Sequence, residues 1–241
     1  ENKYYNFYGL NLTIETLDGL LKHNGPVNNV KSYKKILNKS FFCKKINFKS
    51  APSMEAQISS ISDDIAYNNH DLQDGLRAGL FSIEKLGTIP RLSKLVKKHQ
   101  KKLKNFRKEI IINQIIRDLI NLMVTDIINT TIKNLKKNKP KNINDIYNQN
   151  NKIVHFSEKT QEIDNQVKDF LKHNMYNNRK VLDNTERGKM ITRDLFKYLL
   201  NNTKKYINKE LLKIEKKERL VADFIAGMTD RFAINLYNKI K

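Results

Sequence analysis

The amino-acid sequence predicts an all-α fold. Apolar residues recur at three, four and seven over several long stretches, which is helical spacing, and no alternating run of strand length occurs. The periodic stretches also begin at helix-capping residues, namely Thr13, Ser53 and Ser157.

The most informative stretch runs from Ser53 to Phe81, SMEAQISSISDDIAYNNHDLQDGLRAGLF, and predicts one long amphipathic helix. Ser53 follows Pro52 as an N-cap, and Glu55 places a negative charge in the first turn, where the helix dipole favours it. Met54, Ile58, Ile61, Ile65, Leu72 and Leu76 form the expected core stripe. At roughly 100° per residue, Asp63 lies about 200° from Ile61, so the carboxylates face away from the core. Asp63, Tyr67 and Asp71 then form a ladder one turn apart. A carboxylate, a phenol and a second carboxylate can hold a metal and the polar edge of a ligand. The same pattern describes a solvated acidic face. A large aromatic on the wet side and local acidity within a basic chain count against that plainer reading.

Before it, Thr13–Asn24 predicts a helix with Ile14, Leu17, Leu20 and Leu21 inward, stopped by Asn24-Gly25-Pro26. Lys22 and His23 fall in its last turn, where cations complement the dipole. Residues 27–52 are polar and basic, with Phe41, Phe42 and Phe48 as apolar anchors. Gly87 and Pro90 break the chain after the central helix. A Lys-rich helix follows to about residue 105, then a long helix over Glu109–Leu135 with Ile112, Ile116, Leu119, Ile120, Met123 and Ile127 on one face. Arg117, Asp118 and Asp126 on that helix have two equally good accounts, surface pairing one turn apart or polar positions of a functional site.

Lys137–Lys152 is low in apolar residues, is broken by Pro140, and predicts a loop. Residues 153–157 form a short extended piece, and Asp164–Asn174, Ile191–Tyr206 and Leu220–Ile240 predict further helices. Gly227 sits within the last of these at a cost of roughly 1 kcal/mol relative to alanine, which close helix packing would explain.

The chain has 241 residues, enough for one large or two small domains, and a net charge of +21 from 46 Lys and Arg against 25 Asp and Glu. Such an excess attracts phosphates and admits weak nucleic-acid binding. A general bias to Lys, Asn and Ile discounts it, and pairs such as Lys97-Lys98 and Lys136-Lys137 read as solvated helix faces. No membrane span or signal peptide is evident, and the single Cys43 fits a reducing, cytoplasmic setting.

Three blocks carry a family resemblance: YGLNLTIETLDGLLKHNGP, DDIAYNNHDLQDGLRAGLF and VADFIAGMTDRFA. In this order they resemble the bacterial deoxyguanosinetriphosphate triphosphohydrolase-like proteins of the HD superfamily. The resemblance implies a multi-helix HD-superfamily hydrolase fold, with residues 1–85 completing the catalytic core and 86–241 forming a helical C-terminal region. It implies metal-dependent hydrolysis of deoxynucleoside triphosphates to deoxynucleoside and triphosphate, and self-association. The alternatives are another nucleotide substrate for an HD-type phosphohydrolase, or a basic helical module that binds nucleic acid.

Carried over by position, the resemblance makes Asp63 a ligand of a divalent metal (Mg, Mn or Fe). Tyr67 and Asp71 become the pair that contacts the sugar, and Lys22 reaches the substrate phosphates. Asp230 and Arg231 support the wall of the site or a subunit contact. Imidazoles and carboxylates suit such metals while leaving positions for water and phosphate. The dipeptide His70-Asp71 is not the family's His-Asp pair, which belongs to an earlier helix. The chain opens at Glu1, so that helix is expected before it. One of four ligands would then be present, no catalytic residue is assigned within the chain, and the piece alone is expected to be inactive.

Overall fold

The computed structural model describes residues 4–6, 10–31, 45–149 and 151–241. Phe41, Phe42 and Cys43 lie outside the described residues, as does the start of the first family block. The described residues are helical and contain no strand, as the periodicity predicts. Contacts divide the chain into two compact units, Glu1–Lys172 and His173–Lys241.

The first unit holds α1 (Ile14–Leu21), α2 (Met54–Arg77), α3 (Ile83–Leu86), α4 (Ser93–Lys102), α5 (Lys108–Asn138), α6 (Ile143–Tyr147) and α7 (Glu158–Leu171). Its centre is α2 against α5. Leu72 and Leu76 on α2 meet a face of α5 that buries Ile112, Ile115, Ile116, Leu119, Met123 and Ile127. Burying each such side chain stabilises by roughly 1.5–3 kcal/mol. The two helices run antiparallel: Gln73 Nε2 donates to Asn113 Oδ1 at 2.8 Å, and one turn back Asn69 Nδ2 reaches Met123 Sδ at 3.4 Å.

Capping residues set the boundaries. The side chains of Thr13, Ser53 and Ser157 accept from the backbone of Thr16, Ala56 and Thr160, starting α1, α2 and α7. Lys139 takes a left-handed φ of 44° at the end of α5, and Pro140 then prevents continuation. The stretch expected to be loop before residue 152 contains α6, because Asn142 and Asp145 form a reciprocal capping box.

Buried polar groups on α2 tie it to the rest of the unit. Gln57 donates to the Pro52 carbonyl at 3.0 Å and accepts from the amides of Ile153 and Val154 at 3.0 and 3.1 Å. Asn68 Nδ2 donates to Asp164 Oδ1 of α7 at 2.9 Å. Lys168 bridges Asp164 and Asp64 at 2.8 and 3.3 Å. The inward stripe expected on α2 is correspondingly shifted in its first half: Ile58 is exposed, while Ala56 and Gln57 are buried.

The second unit holds α8 (Arg179–Asn201), α9 (Thr203–Tyr206), α10 (Leu211–Ile214), α11 (Lys217–Ala226) and α12 (Asp230–Ile240). A π-helical turn over Lys172–Tyr176 precedes α8. Ile191, Leu195 and Leu199 of α8 pack with Ile207, Val221 and Tyr237. The single helix expected over Leu220–Ile240 is two. Gly227 ends α11, and the Thr229 hydroxyl accepts from the Phe232 amide to start α12. Gly227 therefore serves a helix end, and a Cβ there would meet only ordinary contacts at 3.5 Å and beyond. None of the described helices is long and apolar enough to cross a membrane.

Candidate functional site

The polar face of α2 rises 1.5 Å per residue, so its one-turn ladder spaces Asp63, Tyr67 and Asp71 by about 6 Å per rung. Tyr67 is 61% exposed and the Asp63 side chain 73%, whereas Asp71 is half-buried. α1 lies against the first half of α2 with Gly19 facing Ala56, where a Cβ would sit at an ordinary contact distance of 3.4 Å from the Ala56 Cβ. Just past the end of α1 and two turns further along α2, His23 Nε2 comes within 3.2 Å of Asp63 Oδ2. The turn after α1 closes with the Gly25 amide donating to the Lys22 carbonyl at 2.7 Å, and Gly25 takes a φ of 106° that favours glycine.

Lys22 goes elsewhere. Its side chain is 1% exposed, and its Nζ pairs with Asp18 Oδ1 at 2.6 Å and donates to Ser50 Oγ at 2.7 Å. The ammonium also lies 5.4 Å from the centre of the Tyr147 ring. These groups border a cavity of about 300 Å³ shared with Glu15 and Lys45. Asp18 Oδ2 is buried without a hydrogen-bond partner. Burial raises the Tyr147 phenol above its ordinary pKa, with Asp18, Glu15 and Glu55 adding to the effect, since their charges disfavour a phenolate. His23 borders a second, more apolar cavity of about 490 Å³ with Leu20, Ala56, Ser59 and Ile143.

The sequence reading missed Asp18, Ser50 and Tyr147 around Lys22. Only Asp18 carried a local signal, being one turn before Lys22 on the same helix. His23, read as a capping residue, is the α1-terminal side chain that meets Asp63. His70 is exposed. On α5, Asp118 accepts from Gln114 and pairs with His99 at 2.8 Å, while Asp126 accepts from the amide and hydroxyl of Ser157. Both aspartates thus join α5 to other segments. Asp230 and Arg231 are exposed in the first turn of α12.

Asp63 and His23 have donor types that suit a divalent ion, but two donors leave its coordination incomplete. Among the described residues there is no group of three or more His, Cys, Asp or Glu placed to hold a metal. The described residues therefore do not make a complete metal site.

Residues 154–239 match the phosphohydrolase-associated domain. The chain is 50% identical over 236 residues to a deoxyguanosinetriphosphate triphosphohydrolase-like protein of Pelagibacter ubique, covering 98% of this chain and 63% of that protein. Proteins of the same description from Rickettsia typhi and Parvibaculum lavamentivorans are 36% and 33% identical, each over 100% of this chain and 63% of their own length. The chain is thus similar over nearly its whole length to the deoxyguanosinetriphosphate triphosphohydrolase-like proteins. It spans 63% of the length of these curated relatives. The phosphohydrolase-associated match begins at Val154, just before α7, and continues into α12.

Proposed function

We propose that this chain is part of a metal-dependent hydrolase that cleaves deoxynucleoside triphosphates to deoxynucleoside and triphosphate. The Asp63–Tyr67–Asp71 stripe of α2, exposed at Asp63 and Tyr67, carries this reading, in a chain whose relatives bear the triphosphohydrolase-like name. Asp63 is one carboxylate ligand of a Mg, Mn or Fe ion, and the remaining ligands come from the part of the relatives' length that this chain does not span. Bound there, a divalent ion would supply charge for the phosphates and a water of lowered pKa.

The chain's own residues act at the sugar. Asp71, as a carboxylate, accepts a hydrogen bond from the 3′-hydroxyl. The Tyr67 ring packs against C2′, where an added 2′-hydroxyl would lack both room and a partner. An unpaired hydroxyl against an aromatic face is costly, and this is the physical basis for preferring deoxyribose. At the phosphates, the half-buried imidazole of His23 lies on the side of Asp63, whereas Lys22 must leave Asp18 to reach them.

The test uses a protein of the relatives' full length that carries these residues. Tyr67→Ala should narrow the ratio of kcat/KM for deoxy- over ribonucleoside triphosphates by at least tenfold, and Asp63→Ala should abolish triphosphate release. Unchanged sugar selectivity removes the Tyr67 role, and full activity of Asp63→Ala removes the hydrolase reading.

A further inference from the structure

Beside the Asp63–Tyr67–Asp71 ladder, α2 carries a second one displaced by a single residue, Asp64 and Asn68. Asn68 is 4% exposed, and its Nδ2 donates to Asp164 Oδ1 of α7 at 2.9 Å. Asp164 is itself 1% exposed, so this carboxylate belongs to the packed interior. Its other oxygen meets the Lys168 ammonium, one turn later on α7, at 2.8 Å, with Gln161 Nε2 at 3.4 Å. The same ammonium reaches back to Asp64 Oδ2 at 3.3 Å. Two successive rungs of α2 are thus held by two successive rungs of α7, paired antiparallel. Each held rung is the sequence neighbour of a candidate site residue, Asp64 of Asp63 and Asn68 of Tyr67.

Such a link is a poor source of stability. Removing a carboxylate from water is costly, and an apolar set of similar volume often holds two helices equally well. What the link supplies is direction. Apolar contact is non-directional, whereas a hydrogen bond weakens steeply once donor and acceptor turn out of line. The difference matters along α2. Its second half is fixed on α5 by Leu72 and Leu76, which are almost fully buried. From Met54 to Asn69 the buried residues are Ala56, Gln57, Ile65, Asn68 and Asn69, three of them amides. Polar contacts therefore govern how this half is turned.

Rotation of α2 becomes displacement at the site. Side chains stand about 5–6 Å from a helix axis, so a turn of about 10° carries the Tyr67 ring about 1 Å. A misplacement of that size, arising away from the chemistry, is able to cost about a hundredfold. α7 also lies within residues 154–239, matched to the phosphohydrolase-associated domain, whereas α2 precedes them. The link therefore gives the matched region a task at the site.

We propose that Asp164 and Lys168 are positioning residues for the sugar end of the site: through Asn68 and Asp64 they set the rotation of α2 and so fix where the Tyr67 ring meets the sugar. The proposal rests on the sugar-contacting reading of Tyr67 given above.

The experiment uses a protein of the relatives' full length that carries these residues. It measures kcat and KM separately for a deoxynucleoside triphosphate and for its ribonucleotide. Asn68→Leu/Asp164→Leu replaces the buried link by apolar side chains and should leave Tm close to the parent's. It should lower the deoxy-over-ribo ratio of kcat/KM by about fivefold or more, chiefly through KM, because the ring meets the sugar and not the reacting phosphate. Lys168→Met should lower the ratio less, and Lys168→Arg, which can still bridge both carboxylates, should restore it. Ile116→Val, a small cavity in the core of α5, should lower Tm and leave the ratio within about twofold. In a Tyr67→Ala background, adding Asn68→Leu/Asp164→Leu should leave the ratio unchanged.

A meta-fluorotyrosine at position 67 adds a readout without turnover. Its fluorine resonance should move or broaden in Asn68→Leu/Asp164→Leu and stay in place in Ile116→Val. An unmoved resonance overturns the link between α7 and the ring. A moved resonance with an unchanged ratio overturns the sugar role of Asp164 and Lys168. A further fall of the ratio in the Tyr67→Ala background overturns action through the ring. If Asn68→Leu/Asp164→Leu fails to fold, equal ratios for Lys168→Met and Lys168→Arg overturn the proposal. A parent protein that releases no triphosphate overturns the hydrolase reading instead, and the fluorine resonance still decides whether α7 positions the ring.

Discussion

Lys22 and Asp18 meet one helical turn apart at 2.6 Å with their side chains 1% and 9% exposed, and Asp18 Oδ2 is left without a partner. Removing one member of such a pair strands the other charge in a place that water does not reach. Asp18→Asn should therefore destabilise the first unit by about 3 kcal/mol, whereas the volume-conserving Asp18→Asn/Lys22→Met double variant should recover more than half of that loss. Urea unfolding monitored by circular dichroism reads both. Equal destabilisation by the single and double variants would show that the pair itself stabilises the unit.

Gln57 satisfies two backbone amides where the chain passes between α6 and α7 and the Pro52 carbonyl just before α2. Gln57→Leu keeps the bulk and removes all three bonds, leaving the Ile153 and Val154 amides buried without acceptors. The expected cost is about 2–4 kcal/mol, since each orphaned group incurs its desolvation penalty in full. Amide hydrogen exchange at Ile153 and Val154 should accelerate beyond the change in global stability. Retained protection at both amides would refute this account of the segment.

These two positions also mark the limit of what the sequence showed. Helix starts at Ser53, Thr13 and Ser157 were legible because a cap is a local interaction among residues three apart. The outward direction of Asp63 and Tyr67 followed from periodicity alone. By contrast, nothing in the sequence singled out Gln57 and Asn68, since their partners lie 96 residues away in sequence at Ile153 and Asp164. The break at Gly227 was missed because glycine was weighed as a packing residue, although Thr229 and Asp230 already formed the start of a new helix. Lys22 and His23 share a helix end, and only the approach of α2 and Ser50 decides which turns inward and which meets Asp63.

The His99–Asp118 pair gives the first unit a defined acid response. Burial works to raise the Asp118 pKa, but the hydrogen bonds from His99 and Gln114 and the nearby charges of His99 and Lys98 outweigh it and hold the carboxyl below its ordinary value. A lowered folded-state pKa means that the contribution is fully present above the unfolded carboxyl pKa of about 3.9. It is lost as pH falls through the folded value. Asp118→Asn should flatten the fall in Tm below pH 4 relative to the parent chain while lowering Tm at pH 7. Parallel Tm curves for the two proteins would rule out this contribution.

Lys168 gives the opposite sign at the other end of the pH scale. Burial works to lower its pKa, but the Asp164 hydrogen bond and the charges of Asp164 and Asp64 raise it overall. Its contribution is complete below the unfolded lysine pKa of about 10.4 and disappears as pH rises through the higher folded value. The side chain is 43% exposed, so solvent screening keeps the effect small. Lys168→Met should lower Tm at pH 8 by a few degrees and converge with the parent above pH 11. A constant gap across that range would assign the loss to packing of the lysine stem instead.

Gly75 and Phe81 fix how the chain leaves α2. A Cβ on Gly75 would lie 2.3 Å from Phe81 Cε1, and the Phe81 ring is itself held edge-on against Phe170 at 4.8 Å. Phe81 is 5% exposed, so the ring has little room to withdraw. Gly75→Ala, ordinarily favourable within a helix, should here destabilise by about 2 kcal/mol through overpacking. Adding Phe81→Leu should relieve the clash, making the double variant more stable than the sum of the two single effects predicts. Strict additivity in urea unfolding would mean that the ring moves aside freely, and the fit of α2 against α7 would not depend on Gly75.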